Sequence, residues 1–252
     1  MSSFSQKYSE IYDIFYDKKD YQGEVDLIEQ VIKKYKPDTK KILDYGCGTG
    51  EHTKALALKG YEISGIDKNE NMLAIAKQKL KDQKNVHFYN AGERHAVDPG
   101  SIDVCVTLFD VISYMNTNEE IRDFLTYVKN VLKDNGLIIF DFWYGPGVIN
   151  LMPEKRWKEY NAGGKKILRL TNPVHDNDNC IVSVTHEVII SERDRIINRI
   201  TETHNMRYFF KNEMFMFLNY HGFEVLNFGT WKTLYTPPVI ADWSAVVVAQ
   251  KV

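Results

Sequence analysis

The sequence predicts an α/β fold in which a mainly parallel sheet is covered by helices on both faces. From residue 40 to about residue 142, short apolar runs alternate with stretches of helical period. The apolar runs are continuous, which is typical of parallel strands buried on both faces. Three glycines, Gly46, Gly48 and Gly50, directly follow the first of these runs. Together these observations indicate a sheet with a ligand site at one edge.

This part of the chain is predicted to contain three helices and five strands. The first helix ends at Gly60, because glycine readily adopts the left-handed conformation that ends a helix. Asn69 is the predicted N-cap of the second helix. The third helix is predicted to end at Gly136. The predicted strands are, in order, KKILDYG, YEISGID, NVHFYN, SIDVCVTLF and LIIFDFW.

After residue 143 the pattern changes to a two-residue period rich in β-branched residues. It predicts three antiparallel strands, in KKILRLTNPV, CIVSVTHEVIIS and RIINRITETHNMRYFF. A helix and two further strands follow, so the antiparallel segment is an insertion into the α/β sheet. The predicted organisation is an N-terminal helical cap over residues 1–39, a core over residues 40–150 and 212–252, and an insertion over residues 151–211 that covers the acceptor site.

Composition and charge exclude several classes of protein. The net charge is -2, so nothing general attracts the chain to nucleic acid or to an anionic membrane. No run approaches the roughly 18 apolar residues of a membrane span, and the first ten residues contain no apolar signal region. The three cysteines are far apart, which favours a reducing compartment. We therefore expect a cytoplasmic protein, and the absence of HxH, DxD or HExxH motifs near the predicted site predicts no metal.

The glycine-rich turn is the strongest functional signal. Glycines between a strand and a helix let a ligand approach the backbone and leave N–H groups free at the start of the helix. The spacing is GxGxG, with Asp44 two residues ahead of the first glycine. Asp67, at the end of the second strand, is placed to hold both hydroxyls of a ribose. The alternative is a tight turn with no ligand.

Four segments resemble motifs of class I S-adenosylmethionine-dependent methyltransferases: LDYGCGTG, GID, SIDVCVTLFDVISYM and GLIIFDFW. The resemblance implies a Rossmann-like sheet of seven strands in the order 3-2-1-4-5-7-6, with strand 7 antiparallel. It implies S-adenosylmethionine as cofactor and S-adenosylhomocysteine as product. The cofactor-binding residues would include Asp44 and the three glycines of the turn, which pass under the methionine part.

The same resemblance assigns the nucleoside end of the cofactor. Asp67 would bind the ribose, with Lys68 beside it. Glu93 takes the position of an Asp that accepts a hydrogen bond from the adenine amino group in this class. Phe109 would lie near the adenosine or the methyl group. The alternatives are a solvated loop carboxylate for Glu93 and a core aromatic for Phe109.

The N-terminal segment YDIFYDKKDYQGEVDLI is similar to the cap of small-molecule N-methyltransferases that act on nucleotide-linked amino sugars. Tyr12 and Tyr21 are predicted to cover the cofactor, and the hydroxyl of Tyr21 is a candidate to order the methionine carboxylate or a substrate amine. The alternative is ordinary packing of an amphipathic helix.

The acceptor site is predicted from residues at the C-terminal edge of the sheet and in the insertion. Tyr114, Trp143 and Tyr144 follow strands at the edge where such sheets bind ligands. His204 shares a strand face with Glu202 and is the candidate base. Arg207 is a candidate for holding an anionic acceptor group. The alternatives are a hydrogen-bonded surface histidine and a surface ion pair.

The favoured interpretation is a methyltransferase that acts on the amine of a small polar acceptor, such as a nucleotide-linked amino sugar. Residues 151–211 contain eleven Lys and Arg against eight Asp and Glu, which favours an anionic acceptor. One alternative is O-methylation of a sugar or sugar phosphate in surface-polysaccharide synthesis. Another is a cofactor-binding partner subunit without turnover. A nucleic-acid substrate is disfavoured, because LFDVIS stands where an NPPY-like motif would be. A homodimer is left open.

Overall fold

The strands and helices are taken from a computed structural model that describes residues 4–193 and 195–252. Residues 1–3 of the predicted cap and residue 194 of the predicted insertion lie outside the described residues. The strands are β1 (Lys41–Tyr45), β2 (Glu62–Asp67), β3 (Val86–Asn90), β4 (Ile102–Thr107), β5 (Leu132–Trp143), β6 (Arg156–Ala162), β7 (Lys165–Asp176), β8 (Ile181–Glu192), β9 (Arg195–Arg207), β10 (Phe223–Gly229) and β11 (Ser244–Lys251).

The helices of the described residues are α1 (Gln6–Phe15), α2 (Tyr21–Tyr35), α3 (Glu51–Leu58), α4 (Glu70–Lys79), α5 (Asn118–Val131), α6 (Gly145–Leu151) and α7 (Lys211–Tyr220). None of them combines the length and the hydrophobicity that crossing a membrane requires. Two predicted helix ends are confirmed. Gly60 adopts a left-handed φ of 93° just beyond α3, and the Asn69 side chain accepts a hydrogen bond from the Met72 N–H of α4.

Seven strands form the main sheet, in the spatial order β3-β2-β1-β4-β5-β11-β10. β1 pairs in parallel with β2 on one side and with β4 on the other. β11 is antiparallel to both β5 and β10. The predicted order 3-2-1-4-5-7-6 with an antiparallel seventh strand is therefore confirmed. Because the winding reverses between β1 and β4, a crevice opens at the C-terminal ends of these strands.

Helices cover both faces of this sheet. On one face, Val25, Ile28 and Val31 of α2 pack with Leu56 of α3 against β1, β4 and β5. On the other face, α5 and α7 pack against side chains of β5 and β11 such as Phe140. Within the predicted cap of residues 1–39, α2 therefore belongs to a helix layer of the sheet. Only α1 packs on the insertion.

The insertion is a separate antiparallel sheet of four strands, in the order β6-β7-β8-β9. Three of these strands were predicted, and β6 is additional. β6 is an edge strand in which only Tyr160 is buried, so its sequence has no alternation of apolar and polar residues. The inner face of this sheet packs against α1 through Tyr8, Phe15, Tyr160 and Val188.

One predicted helix end is wrong. α5 ends at Val131, and β5 begins at the next residue, where Leu132 pairs with Ile102 of β4. Asn135 then adopts a left-handed φ of 57°, so Gly136 lies within β5 and does not end the helix. The apolar period of α5 runs on into the strand, which concealed the boundary.

Replacing Phe140 tests how much the packing of the central strand β5 contributes to stability. Its side chain is fully buried between the sheet and the helices α5 and α7. We expect Phe140→Ala to lower the free energy of unfolding by about 3–5 kcal/mol, because it removes apolar contacts and leaves a cavity. Chemical denaturation measures this. The control is Tyr220→Ala, since Tyr220 is 82% exposed and its loss should cost less than about 0.5 kcal/mol. Equal effects of the two substitutions would contradict the predicted core.

Candidate active site

A cavity of about 980 Å³ lies at the C-terminal ends of the central strands and extends under the insertion. Its walls come from the turn after β1, the end of β2, the segment after β4, α1 and the inner face of the insertion. Ten of the residues predicted for the site line it: Tyr12, Tyr21, Gly46, Gly48, Asp67, Lys68, Phe109, Tyr114, Trp143 and His204. The fold thus brings the cofactor and acceptor candidates into one space.

The glycine turn is held against the end of β2. The N–H groups of Gly46 and Cys47 both donate to the carbonyl of Ile66, at 2.7 and 3.0 Å. Gly46 has a φ of 83°, and a Cβ there would lie 2.5 Å from Cγ1 of Val111. Gly48 has a φ of 53°, and a Cβ there would meet nothing within 4 Å. The backbone at Gly48 therefore faces open space that a ligand can approach.

The third glycine has a different role. Gly50 is the N-cap of α3 and does not line the cavity. A Cβ at Gly50 would lie 3.2 Å from Cβ of Ala76 and 3.3 Å from Cδ1 of Leu80, so this glycine lets α3 approach α4 closely. Gly50 thus has a packing role, and its predicted place under the cofactor stays a prediction.

The two acidic residues of the turn also differ. Asp67 lines the cavity, and its two carboxylate oxygens accept from the N–H groups of Gly48 and Asn69, each at 2.8 Å. Burial raises the pKa of Asp67. Asp44 does not line the cavity, and its assignment to the cofactor stays a prediction. Its buried carboxylate accepts from the Thr53 hydroxyl at 2.5 Å and ties β1 to α3.

The segment after β4 is strained. Phe109 and Asp110 have φ values of 66° and 60°, which non-glycine residues rarely adopt. The Asp110 N–H donates to Asp141 Oδ1 at 2.9 Å, and the Ser244 hydroxyl donates to Asp110 Oδ1 at 3.0 Å. These bonds hold the turn so that Phe109 lines the cavity, where its ring meets Tyr16 edge-on with centroids 4.9 Å apart.

Glu93 is not part of the cavity wall. Its carboxylate accepts from the Asn90 N–H at 3.1 Å and closes a capping box, and its side chain is exposed. Ala91 and Arg94 of the same segment line the cavity in its place. The prediction that Glu93 reads the adenine amino group is therefore corrected.

Helix α1 and the start of α2 cover the cofactor side of the cavity. The carboxylate of Asp13 accepts from the Thr49 hydroxyl at 2.6 Å and from the Lys79 ammonium at 2.8 Å, which fastens α1 to the glycine turn and to α4. Tyr12 and Tyr21 line the space beneath. Burial raises the pKa of both phenols, so they act as neutral hydrogen-bonding groups near pH 7.

The part of the cavity predicted to bind the acceptor is built around His204. This side chain is 4% exposed, and its Nδ1 lies 3.1 Å from the Tyr114 hydroxyl. Its Nε2 is buried and has no hydrogen-bond partner within the described part of the chain. Glu202 was predicted to support His204, yet its carboxylate accepts from the N–H groups of Phe4 and Ser5. Glu202 therefore anchors the start of α1.

A second histidine, His186, joins this group and was not predicted. Its ring centroid lies 5.4 Å from that of His204, and its Nδ1 lies 3.1 Å from the Thr171 hydroxyl. The sequence did carry a signal for it. In β8, Val182, Val184 and Val188 alternate in phase with His186, which places it on the inner face of the insertion.

Both histidines are held neutral. Burial lowers the pKa of His204 to about 4 and that of His186 to about 3. The charge of Glu202 raises the pKa of His204, but burial outweighs it. A catalytic role of His204 stays a prediction.

Two acceptor candidates lie outside the cavity wall. Tyr144 is the N-cap residue of α6, and its ring packs against Phe228 with centroids 6.0 Å apart. Arg207 forms an ion pair with Glu213 at 2.6 Å and donates to Asn118 at 2.8 Å, so it joins β9 to α5 and α7. Both are corrected to structural roles. Trp143 does line the cavity and packs edge-on against Trp243, at 4.8 Å between centroids.

The comparisons with known proteins agree with this geometry. Residues 42–136 match the family model described as a methyltransferase domain. A putative methyltransferase of Geobacillus sp. is 35% identical over 133 residues, which cover 52% of this chain and 53% of the relative. This match therefore spans about half of that relative's length.

Two further proteins extend the likeness to nearly the whole chain. A dTDP-3-amino-3,6-dideoxy-alpha-D-glucopyranose N,N-dimethyltransferase of Streptomyces fradiae is 23% identical, with 84% of this chain and 82% of the relative covered. The fold also matches the structure of an amino pentose methyltransferase from Micromonospora echinaspora with S-adenosylmethionine bound. The TM-score is 0.76 at 18% identity, covering 100% of this chain and 99% of that one.

Residues 42–136 match the methyltransferase-domain model, and the sheet order and the glycine turn agree with the S-adenosylmethionine-dependent class that the sequence resembles. The cofactor of this class fits the residues present. Gly48 opens its backbone to the cavity, and Asp67 at the end of β2 offers a carboxylate to the ribose hydroxyls. Lys68 and Phe109 line the same side.

The buried, neutral state of His204 predicts a pH dependence of stability. Its folded pKa of about 4 lies below the unfolded value of 6.5, so its contribution to stability is complete above pH 6.5 and declines as the pH falls toward 4. We expect wild type to lose about 2 kcal/mol more free energy of unfolding between pH 7.5 and pH 5 than His204→Asn. Urea denaturation at the two pH values measures the difference.

The control for this experiment is His87→Asn, on the exposed side of β3, which should keep the wild-type difference. Other groups that titrate in this range, such as Asp141 with a pKa raised to about 6, act in wild type and variant alike and cancel in the comparison. Identical losses in wild type and in His204→Asn would show that the histidine is not held neutral.

Proposed function

We propose that this protein is an S-adenosylmethionine-dependent enzyme that methylates the amine of a small polar acceptor, and that an amino sugar linked to a nucleotide is the favoured acceptor. The proposal rests mainly on one contact. Tyr114, which follows the strand beside the glycine turn, hydrogen-bonds to His204 of the insertion. This pair joins the cofactor side of the cavity to a buried, polar acceptor side.

The cofactor of this class supplies an electrophilic methyl group on a sulfonium. In the proposed reaction the acceptor nitrogen would give its lone pair to the methyl carbon, the C–S bond would break with its electron pair left on sulfur, and the methylated ammonium would then release a proton to solvent. The protein's contribution is position and exclusion of water, which can supply about 7–11 kcal/mol of the barrier. The walls formed by α1 and the insertion enclose the acceptor for this purpose.

A neutral histidine suits an amine acceptor. When Nδ1–H of His204 donates to the Tyr114 oxygen, Nε2 keeps its lone pair and can accept from an amine N–H. Such a hydrogen bond would hold the acceptor nitrogen without removing a proton beforehand. A hydroxyl acceptor would need a base that takes its proton, and the lowered pKa of His204 is poorly matched to that task.

The relatives support the same choice of acceptor. The Streptomyces fradiae protein is named as a methyltransferase of a nucleotide-linked amino sugar, and the Micromonospora echinaspora protein as an amino pentose methyltransferase. O-methylation of a sugar and a cofactor-binding role without turnover are the alternatives that the following experiments separate.

Cofactor binding is the first test. We expect S-adenosylhomocysteine to bind wild type with a micromolar or lower Kd, and Asp67→Ala to weaken binding by about 10- to 100-fold, because a charged hydrogen-bond partner of the ribose is lost. Isothermal calorimetry measures both. Glu62→Ala, at the exposed start of the same strand, is the control and should bind as wild type does. Undiminished binding by Asp67→Ala would contradict the predicted cofactor site.

The pH profile of kcat/KM tests the acceptor class. With an amine acceptor, the rate should rise with pH through the pKa of the acceptor's own ammonium group, and His204→Gln should keep that profile at a reduced rate. With a hydroxyl acceptor, His204→Gln should lose at least about 100-fold in rate, because a general base is removed. Cofactor binding without turnover of any acceptor would favour the non-catalytic alternative.

A further inference from the structure

We propose that the insertion side of the cavity contains an anion site, built on Arg169 and completed by Arg156, that holds the phosphate group of the acceptor. The inference rests on the proposed function in one respect, which is that the bound anion belongs to the acceptor. Neither arginine was predicted from the sequence as a site residue. Arg207, which was, is engaged in an ion pair elsewhere.

Arg169 stands on β7 in an aromatic box. The guanidinium carbon lies 4.6 Å from the ring centroid of Phe15 and 5.6 Å from those of Tyr16 and Tyr160. Such contacts hold a planar cation in place without neutralising it. The side chain lines the cavity, so the box fixes a guanidinium at the cavity wall.

The charge of Arg169 is not balanced within the protein. Nε and Nη1 are buried and have no hydrogen-bond partner among residues 4–193 and 195–252. No carboxylate in these ranges forms an ion pair with Arg169. Tyr8 and Tyr16 hydrogen-bond to the guanidinium, but these are not carboxylates, and burial raises the pKa of Tyr8 and of the neighbouring Tyr160, which therefore bring no negative charge near pH 7. A half-buried guanidinium with two buried, unpaired nitrogens and no counterion is costly, and a bound anion would offset that cost.

The surroundings add positive charge at the same place. Lys155, just before β6, and Arg156, the first residue of β6, line the cavity together with Arg169, and Arg156 pairs with Thr171 of β7. Glu154, which precedes Lys155, is the acidic residue of this part of the cavity wall, so three cations face one carboxylate there. Arginine is suited to such a site, because its planar fork binds two phosphate oxygens at once.

The anion site lies beside the predicted acceptor position. Arg169 and Thr171 are two residues apart on one face of β7, which separates them by about 7 Å, and Thr171 contacts His186. The charge of Arg169 is also among the causes that lower the pKa of His186 and His204. A phosphate held by Arg169 would therefore place the rest of a small acceptor against the two histidines.

Calorimetry with defined phosphates tests the proposal. Pyrophosphate, thymidine diphosphate, glucose 1-phosphate and thymidine are titrated into wild type, Arg169→Gln, Arg156→Gln and Arg169→Lys, each with and without an excess of S-adenosylhomocysteine. We expect the phosphate compounds to bind wild type and thymidine to bind at least tenfold more weakly than its diphosphate. Arg169→Gln should raise the Kd of the phosphates at least tenfold. Arg169→Lys should raise the Kd less, because lysine keeps the positive charge but lacks the two parallel N–H donors of the guanidinium.

Arg199→Gln is the matched control. Arg199 pairs with Glu187 on the exposed side of the insertion and does not line the cavity, so its loss should leave phosphate binding unchanged. Circular dichroism of each variant checks folding. If Arg169→Gln does not fold, Arg156→Gln is used in its place, and it should likewise raise the Kd of the phosphate compounds.

The outcomes separate this proposal from the proposed function. Unchanged phosphate binding in the Arg169 and Arg156 variants, or no phosphate binding by wild type, would overturn the anion site, while bound S-adenosylhomocysteine would leave the methyltransferase proposal standing. If phosphate binding depends on Arg169 but S-adenosylhomocysteine does not bind, the anion site stands and the methyltransferase proposal is overturned. Thymidine diphosphate binding much more tightly than glucose 1-phosphate supports a nucleotide-linked acceptor, and the opposite order supports a sugar phosphate.

Discussion

The site depends on the hydrogen bonds that join the turn after β1 to the end of β2. Two backbone N–H groups of the turn donate to the carbonyl of Ile66, and a third donates to the carboxylate of Asp67. These bonds fix a backbone with left-handed φ angles at Gly46 and Gly48, which leaves open space above Gly48. Because β1 and β2 are buried parallel strands, the turn cannot shift without disturbing the sheet.

The second constraint is that α1 connects two parts of the protein that lie far apart in sequence. Asp13 of α1 bonds to Thr49 of the glycine turn, while the backbone at Phe4 and Ser5 bonds to Glu202 of the insertion. Tyr8 of the same helix packs in the core of the insertion. One short helix therefore closes the cavity against both the cofactor side and the acceptor side.

Burial gives the acceptor side its chemical character. The two histidines are neutral, the phenols are protonated, and one arginine keeps its charge because guanidinium does not release its proton. The site thus offers neutral hydrogen-bonding groups around the reacting atom and a fixed positive charge at one side. These features underlie the proposal of an uncharged amine attached to an anionic carrier as the acceptor.

The sequence by itself determined the α/β class, the sheet order implied by the resemblance, the glycine turn and Asp67, because these depend on local pattern and on fixed spacing within one strand–turn–helix unit. It did not place Glu93, Tyr144 or Arg207, since whether a polar side chain faces the cavity or bonds to a neighbouring element depends on contacts distant in sequence. For the same reason it missed Arg169, whose aromatic box combines α1 with β6. Only the tertiary structure decided which charges remain unpaired.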